Sequence, residues 1–131
     1  MQYPQIKKKR QDDTNKLFTD LGVFWAFSNE QFDKNKTPLQ PEEKYIDIGA
    51  GGFMPKHNYQ ALKDGLKAIE NTFKAEIKDA KAREEHILYE LNNHEAGITG
   101  DITDTLDALG EDYTAEEVQK VFNNNHKLLY A

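Results

Sequence analysis

Two histidines and a glutamate stand four residues apart in the second half of the chain. They are His86, Glu90 and His94, and on an α-helix the positions i, i+4 and i+8 project from roughly one face. Two imidazoles and a carboxylate form a ligand set that suits zinc or iron. His86 and His94 are nevertheless two full turns apart, about 12 Å by helical rise, so one ion reaches both only if the helix ends or bends between them. We therefore predict no metal site and no cofactor, and keep these three residues as the metal candidates.

General acid–base catalysis needs two titratable groups in one pocket, and Glu90, His94 and Glu95 could supply them. Nothing in the sequence places a nucleophile or an oxyanion hole beside these groups. Ser28 is the only serine, and a helix-capping role explains it. The chain has no cysteine, which excludes disulfides, thiolate metal ligands and cysteine nucleophiles. We predict a protein that is not an enzyme. The alternatives are a metal-dependent enzyme using His86, Glu90 and His94, and a structural or regulatory module that dimerises through the long helix.

Acidic side chains dominate the segment from residue 84 to residue 119. It contains eleven Asp or Glu and no Lys or Arg, whereas residues 1–83 hold fifteen Lys or Arg against twelve Asp or Glu. Such segregation creates a face that attracts cations and repels nucleic acid. The helix macrodipole explains Asp101 and Glu116 at helix starts but leaves Asp107 unexplained. We predict a partner-binding surface, with a merely solvated face as the alternative, formed by Asp101, Asp104, Asp107, Glu111, Asp112 and Glu116.

The pattern of apolar residues predicts an α+β fold, mostly α, in a single domain of 131 residues. A β-branched and aromatic run at 23–27 and an alternating run at 44–48 predict a small two-stranded antiparallel sheet. An apolar stripe at spacings of three and four predicts one long helix over 58–93, capped by Asn58. Several short helices are predicted at 12–21, from Ser28 through Phe32, at 102–109 and at 115–126.

Local capping signals position these helices. Ser28 with Gln31, and Thr114 with Glu117, match the capping box, and Asp101 is the predicted N-cap of the helix over 102–109. The glycines at 49, 51 and 52 predict a sharp turn, because their spacing is not that of a phosphate-binding loop. Exposed aromatic side chains would help a binding protein, and the candidates are Tyr89, Tyr113 and Tyr130.

Two features leave alternatives open. The long helix would span about 50 Å, so it projects from the body, breaks near residue 80, or pairs with a second copy as a homodimer. The basic cluster at 7–10, within a stretch of residues 1–10 that is a candidate flexible N-terminus, is either solvated or a contact for a partner or nucleic acid.

Three stretches together resemble an uncharacterised family of small proteins carried by bacteriophages, prophages and plasmids. They are residues 27–32 (FSNEQF), 49–56 (GAGGFMPK) and 86–101 (HILYELNNHEAGITGD), and the likeness runs from about residue 16 to about residue 122. The resemblance carries over no catalytic residue. It implies an accessory protein that blocks a host defence system, and the commonest such class is the anti-CRISPR proteins. A type VI anti-CRISPR, acting on an RNA-guided nuclease that cleaves RNA, is a looser match.

The partner expected from these observations is a host protein with a basic, nucleic-acid-binding surface, as a nuclease has. Direct binding of nucleic acid through the acidic face is not expected, since both carry negative charge. No apolar run approaches a membrane span, so we expect no membrane partner and a cytoplasmic protein in the host bacterial cell. The predicted oligomeric state is a monomer, or a homodimer that forms through the long helix.

Overall fold

A computed structural model describes residues 2–125, and within them it confirms the mostly helical α+β fold. The chain divides into two compact units, which we describe separately. The sheet unit is Lys7–Ala75, and the helical unit comprises, of the described residues, 2–6 and 76–125. The elements in chain order are α1 (Tyr3–Asp20), β1 (Phe24–Trp25), α2 (Asn29–Asn35), β2 (Tyr45–Gly49), β3 (Gly52–Pro55), α3 (Tyr59–Glu76), α4 (Ala80–Asn93), α5 (Ala96–Thr99), α6 (Thr103–Leu109) and α7 (Ala115–Asn124).

The sheet has three strands in the order β1–β3–β2, with both pairings antiparallel. The prediction of a two-stranded sheet, in which 23–27 pairs with 44–48, is therefore wrong, since β3 lies between these strands. The sequence of β3, Gly-Phe-Met-Pro, contains no β-branched residue and is too short to show alternation, so the local pattern predicts the turn and not the strand. Ala50 and Gly51 both have positive φ, 51° and 81°, as a tight two-residue hairpin turn requires. This turn sends the chain straight back along β2.

One face of the sheet carries a cluster of aromatic rings. Phe24 on β1 stacks on Phe53 of β3 at 5.8 Å between ring centroids. Phe32 of α2 meets Phe24 edge-on at 5.2 Å and Phe53 at 5.1 Å. Edge-to-face contacts at these distances are favourable because the positive edge of one ring meets the negative face of another. The cluster ties α2 to the sheet.

The capping signal at the start of α2 is confirmed. Ser28 Oγ accepts a hydrogen bond from the Gln31 backbone N–H at 3.1 Å, and Gln31 Oε1 accepts one from the Phe27 N–H at 2.8 Å. The Gln31 side chain thus binds the residue before the cap rather than the cap itself. The two bonds fix the direction in which the chain leaves β1.

The first helix begins at Tyr3, nine residues earlier than the predicted start at residue 12. The basic cluster at 7–10 carries no apolar stripe, but lysine and arginine are good helix formers. Two of its members have acidic neighbours in the sheet unit. Lys8 Nζ lies 2.7 Å from Asp12, and the guanidinium of Arg10 lies 3.9 Å from Glu70 and 3.7 Å from the centre of the Phe73 ring.

The predicted long helix is two helices, and the alternative of a break near residue 80 is confirmed. α3 ends at Glu76, and Asp79 caps α4 by accepting a hydrogen bond from the Ala82 N–H at 3.1 Å. A carboxylate that binds free N–H groups in this way starts a new helix. Asn58 does not cap α3; it lies in a 3-10 turn, Lys56–Asn58, and its amide donates to the Leu21 carbonyl.

The helical unit has an apolar core that joins α4 to the helices after it. The core residues are Ile87, Leu91, Ala96, Leu109, Tyr113, Val118 and Phe122, with Ile102, Leu106 and Val121 packed against them. Gly110, at a φ of 84°, ends α6 as predicted. α7 is described to Asn124, so the predicted helical residue His126 lies outside the described residues. Between residues 2 and 125 no helix is long and apolar enough to cross a bilayer.

The central position of β3 can be tested through Met54, whose side chain is fully buried. Met54→Ala should lower the free energy of unfolding by about 2–5 kcal/mol, because it leaves a cavity in a packed core. Chemical denaturation monitored by circular dichroism measures the loss. Leu66→Ala, at a position 37% exposed on α3, is the control and should cost under about 1 kcal/mol. A loss at Met54 no larger than at Leu66 would contradict a central strand.

Candidate partner-binding surface

All six residues of the predicted partner-binding surface are exposed, and we call them the acidic surface. Asp101 precedes α6, Asp104 and Asp107 lie on it, Glu111 and Asp112 follow it, and Glu116 is in the first turn of α7. Burial of the apolar positions determines this exposure. On α6, Thr105 and Leu109 are buried one turn apart, so Asp104 and Asp107, which lie off this buried stripe, face solvent.

The charges of the acidic surface are largely uncompensated. Within residues 2–125, no ion pair neutralises Asp104, Asp107, Glu111 or Glu116. Asp101 is held differently: its Oδ1 accepts hydrogen bonds from the Thr103 hydroxyl at 2.6 Å and the Thr103 N–H at 2.9 Å. These bonds lower the pKa of Asp101. The N-cap of α6 is Ile102, so the prediction of Asp101 as the N-cap is wrong; Asp101 instead binds the first residue of the helix, Thr103.

Arg83 on α4 is the cation that the sequence analysis did not connect with this segment. Its guanidinium forms a two-point ion pair with Glu117 of α7, with Nη2 2.9 Å from Oε2 and Nε bonded to Oε1. The same group donates to the Asp112 carbonyl and lies 4.0 Å from the centre of the Tyr113 ring. Because 34 residues separate Arg83 from Glu117, no local spacing rule could have revealed the pair.

The ion pair changes the titration of both partners. The hydrogen bond from Arg83 is the main cause that lowers the pKa of Glu117, and the same bond raises the pKa of Arg83. It also modifies the predicted capping box at the start of α7. Thr114 Oγ1 accepts from the Glu117 N–H at 3.1 Å as expected. The Glu117 carboxylate binds Arg83, and the backbone N–H of the cap, Thr114, also contributes to its lowered pKa.

His86, the first metal candidate, is buried in an aromatic cluster of the helical unit. Its Nδ1 lies 2.6 Å from the Tyr113 hydroxyl, and its ring stacks on Tyr3 at 4.6 Å. The backbone N–H of Tyr3 donates to the Glu85 carboxylate at 3.0 Å. Burial raises the pKa of Tyr113 to about 12. The cluster therefore attaches the N-terminal turn of α1 to α4.

The other two metal candidates, Glu90 and His94, lie at the end of α4. His94 Nε2 is 3.3 Å from Glu90 Oε2, which is the pairing expected of neighbours one turn apart. Across residues 2–125, no group of three or more His, Cys, Asp or Glu side chains is placed to hold a metal ion. The structure thus pairs Glu90 with His94 and places His86 against Tyr113, without joining all three.

The aromatic candidates differ in exposure. Tyr89 is 41% exposed, Tyr113 is buried, and Tyr130 lies outside the described residues. Tyr113 is therefore a core residue and not a contact residue. A further exposed apolar side chain, which the sequence pattern does not single out, is that of Ile98, 75% exposed on α5 between Glu95 and Asp101. Its neighbours Ala96 and Gly97 are buried, so the short helix turns the isoleucine outwards.

A family described as a family of unknown function (DUF7659) matches residues 2–128, and the chain belongs to it. No curated protein and no solved structure matches the chain. The family match spans both units.

The contribution of Arg83 can be measured by its removal. Arg83→Ala should lower the free energy of unfolding by about 2 kcal/mol, because a partly buried two-point ion pair and a cation–π contact are both lost. Lys81→Ala is the matched control, since Lys81 is exposed on the same helix, and it should change stability by less than about 0.5 kcal/mol. Urea denaturation gives both values, and equal effects would contradict the role of Arg83.

The buried phenol of Tyr113 predicts a loss of stability at alkaline pH. Its folded pKa of about 12 exceeds the ordinary value of 10, so the folded protein favours the neutral phenol. The stabilisation is complete below pH 10 and is lost as pH rises through about 12. Denaturation at a series of alkaline pH values should show this fall, amounting to roughly 2–3 kcal/mol. Tyr113→Phe should flatten the slope, and an unchanged slope would exclude Tyr113 as its source.

Proposed function

We propose that this member of the family is a non-catalytic inhibitor that binds a basic surface of a host protein. The observation that supports this most directly is the exposure of four carboxylates, those of Asp104, Asp107, Glu111 and Glu116, with no ion-pair partner among residues 2–125. The repulsion between such groups is reduced when a cationic surface covers them. A partner rich in lysine and arginine supplies that surface.

The charge balance of the helical unit argues against nucleic acid as a ligand of the acidic surface. Between residues 76 and 125 there are thirteen Asp or Glu and four Lys or Arg, and Arg83 is already engaged by Glu117. A phosphate backbone approaching this surface is repelled, whereas a protein surface that normally holds nucleic acid is attracted. The complex should form quickly at low salt, because complementary charges steer the encounter.

Ile98 gives the same region an apolar contact point. Stable interfaces combine an apolar centre with a polar rim, and charges alone contribute more to association rate than to affinity. Ile98 is 75% exposed within the acidic segment of the chain, where it can enter an apolar depression of the partner. A basic partner surface with such a depression is the complement that we propose.

The finer form of the proposal is that the protein is encoded by a mobile genetic element and acts as an anti-CRISPR protein. The resemblance of residues 27–32, 49–56 and 86–101 to small phage, prophage and plasmid proteins supports it. RNA-guided nucleases hold their nucleic acids in positively charged channels, which are suitable targets for an acidic surface. An inhibitor that covers such a channel competes with RNA and needs no catalytic residue.

The alternative, a metal-dependent enzyme at His86, Glu90 and His94, gains no support from the side-chain positions. His86 Nδ1 is within hydrogen-bond distance of the Tyr113 hydroxyl, while Glu90 and His94 pair with each other. Among residues 2–125, no group of three or more His, Cys, Asp or Glu side chains is placed to hold a metal ion. Metal analysis of protein purified without a histidine tag tests this alternative directly, since a stoichiometric metal that is lost in His94→Ala would revive it.

Charge reversal tests the proposed surface. The double variant Asp104→Lys/Asp107→Lys should weaken binding to a purified type VI effector carrying its guide RNA by at least about tenfold. The control is Asp13→Lys/Glu42→Lys, which changes the net charge equally at two exposed positions of the sheet unit and should leave binding unchanged. Inhibition of RNA cleavage and the dissociation constant are measured at low and at high salt.

The outcomes separate the broad proposal from its finer form. Loss of binding in the acidic-surface variant alone supports both, and a wild-type affinity that falls with salt supports the electrostatic basis. If the wild-type protein does not bind the effector, a pull-down from host lysate at the two salt concentrations identifies any other basic partner. Binding that survives the reversal, while both variants remain folded, contradicts the assignment to this surface.

A further inference from the structure

Two exposed aromatic side chains lie at and just after the end of β1, with one residue between them in the chain. Trp25 is 44% exposed and Phe27 is 78% exposed, and we call this pair the aromatic ridge. It belongs to the sheet unit and has no part in the acidic surface. Large apolar side chains that are exposed together mark an interaction site more often than a single exposed residue does. We propose that the aromatic ridge is a self-association surface, occupied by the ridge of a second copy of this chain.

The hairpin glycines position the ridge. A side-chain carbon on Gly51 would collide with the Phe27 ring, and one on Gly52 would come within 2.7 Å of the Trp25 ring. Both rings therefore lie directly on glycine backbone of the turn and of β3. This arrangement brings together residues 27–32 and 49–56, two of the three stretches on which the resemblance rests. Both stretches contribute residues to the ridge or to the turn beneath it, and neither contributes a residue to the acidic surface.

Each ring of the ridge is packed on one side, which limits the side-chain freedom lost on association. Trp25 pairs with Gly52 in the sheet and meets the Phe18 ring edge-on at 5.9 Å. The outward carbonyl of Trp25 accepts a hydrogen bond from the Asn35 amide at 2.9 Å. Since that edge of β1 is already covered by α2, a partner strand cannot add there. Contact through the rings is the remaining way to use this surface.

The charges beside the ridge suit a second copy. The sheet unit is close to neutral, with twelve Lys or Arg and ten Asp or Glu, so two sheet units meet with little repulsion. On and beside α2, Glu30, Asp33, Lys34 and Lys36 are exposed and form no ion pair within residues 2–125. In a twofold contact, where residue i of one copy meets residue j of the other, residue j of the first copy also meets residue i of the second. A patch that carries both signs is complementary to itself.

This location differs from the homodimer predicted along a single long helix. The break between Glu76 and Ala80 interrupts that helix. The large apolar side chains exposed on α3 are Tyr59 at 40% and Leu66 at 37%, each close to half the exposure of Phe27. A seam on α3 and a contact at the ridge therefore depend on different residues. Variants at Leu66 and Phe27 can distinguish them.

The experiment measures self-association of the full chain over a wide concentration range by sedimentation equilibrium. Trp25 is the only tryptophan, so its emission provides a second reading from the ridge itself. We expect a concentration-dependent dimer, together with a shift of the emission to shorter wavelength as the indole leaves water. Phe27→Glu should weaken the dimer by at least about tenfold, and Leu66→Glu should leave it unchanged. Both positions are exposed, and circular dichroism verifies that both variants fold.

One pattern supports the proposal: the wild-type protein and Leu66→Glu dimerise with the emission shift, and Phe27→Glu does not. A protein that stays monomeric at all concentrations overturns it, and the ridge would then face a different partner. A dimer that is lost in Leu66→Glu and kept in Phe27→Glu overturns it in favour of α3. These self-association results do not test the acidic surface. The charge-reversal variants of that surface are tested separately, by their binding to a host protein.

Discussion

The shortage of cations in the helical unit is the constraint on which the rest of that unit depends. With thirteen acidic and four basic side chains between residues 76 and 125, close packing of its helices brings like charges together. Arg83 relieves this at the junction of α4 and α7, where one guanidinium binds the Glu117 carboxylate, the Asp112 carbonyl and the face of Tyr113. Because this cation is used internally, it does not neutralise Asp104, Asp107, Glu111 or Glu116.

The sheet unit follows a different principle, in which backbone conformation determines the positions of aromatic rings. Positive φ at Ala50 and Gly51 closes the hairpin and places β3 between the other strands. Gly51 and Gly52 have no side chain that would collide with the rings of Phe27 and Trp25. Buried rings then stabilise one face of the sheet, while the two exposed rings form the ridge. One short segment, the hairpin formed by β2 and β3, therefore supports both the packed rings and the exposed rings.

The two proposals assign separate tasks to the two units. An acidic surface that binds a basic host protein uses charge, which acts over about 10 Å at moderate salt. An aromatic ridge that binds a second copy uses contact area and acts only at close range. If both hold, dimerisation presents two acidic surfaces to the target and raises the apparent affinity wherever both can bind at once. The protein would then act as a bivalent inhibitor without any catalytic group.

The amino-acid sequence by itself determined the features that depend on neighbours along the chain. The caps at Ser28 and Thr114, the end of α6 at Gly110, the helical majority and the acidic segment all follow from residue type and short spacing. Only the tertiary structure decided the features that depend on distant residues: the central place of β3, the partner of Arg83, and the burial of His86 and Tyr113. Pairings between residues far apart in sequence follow from how whole elements pack, which no local pattern records.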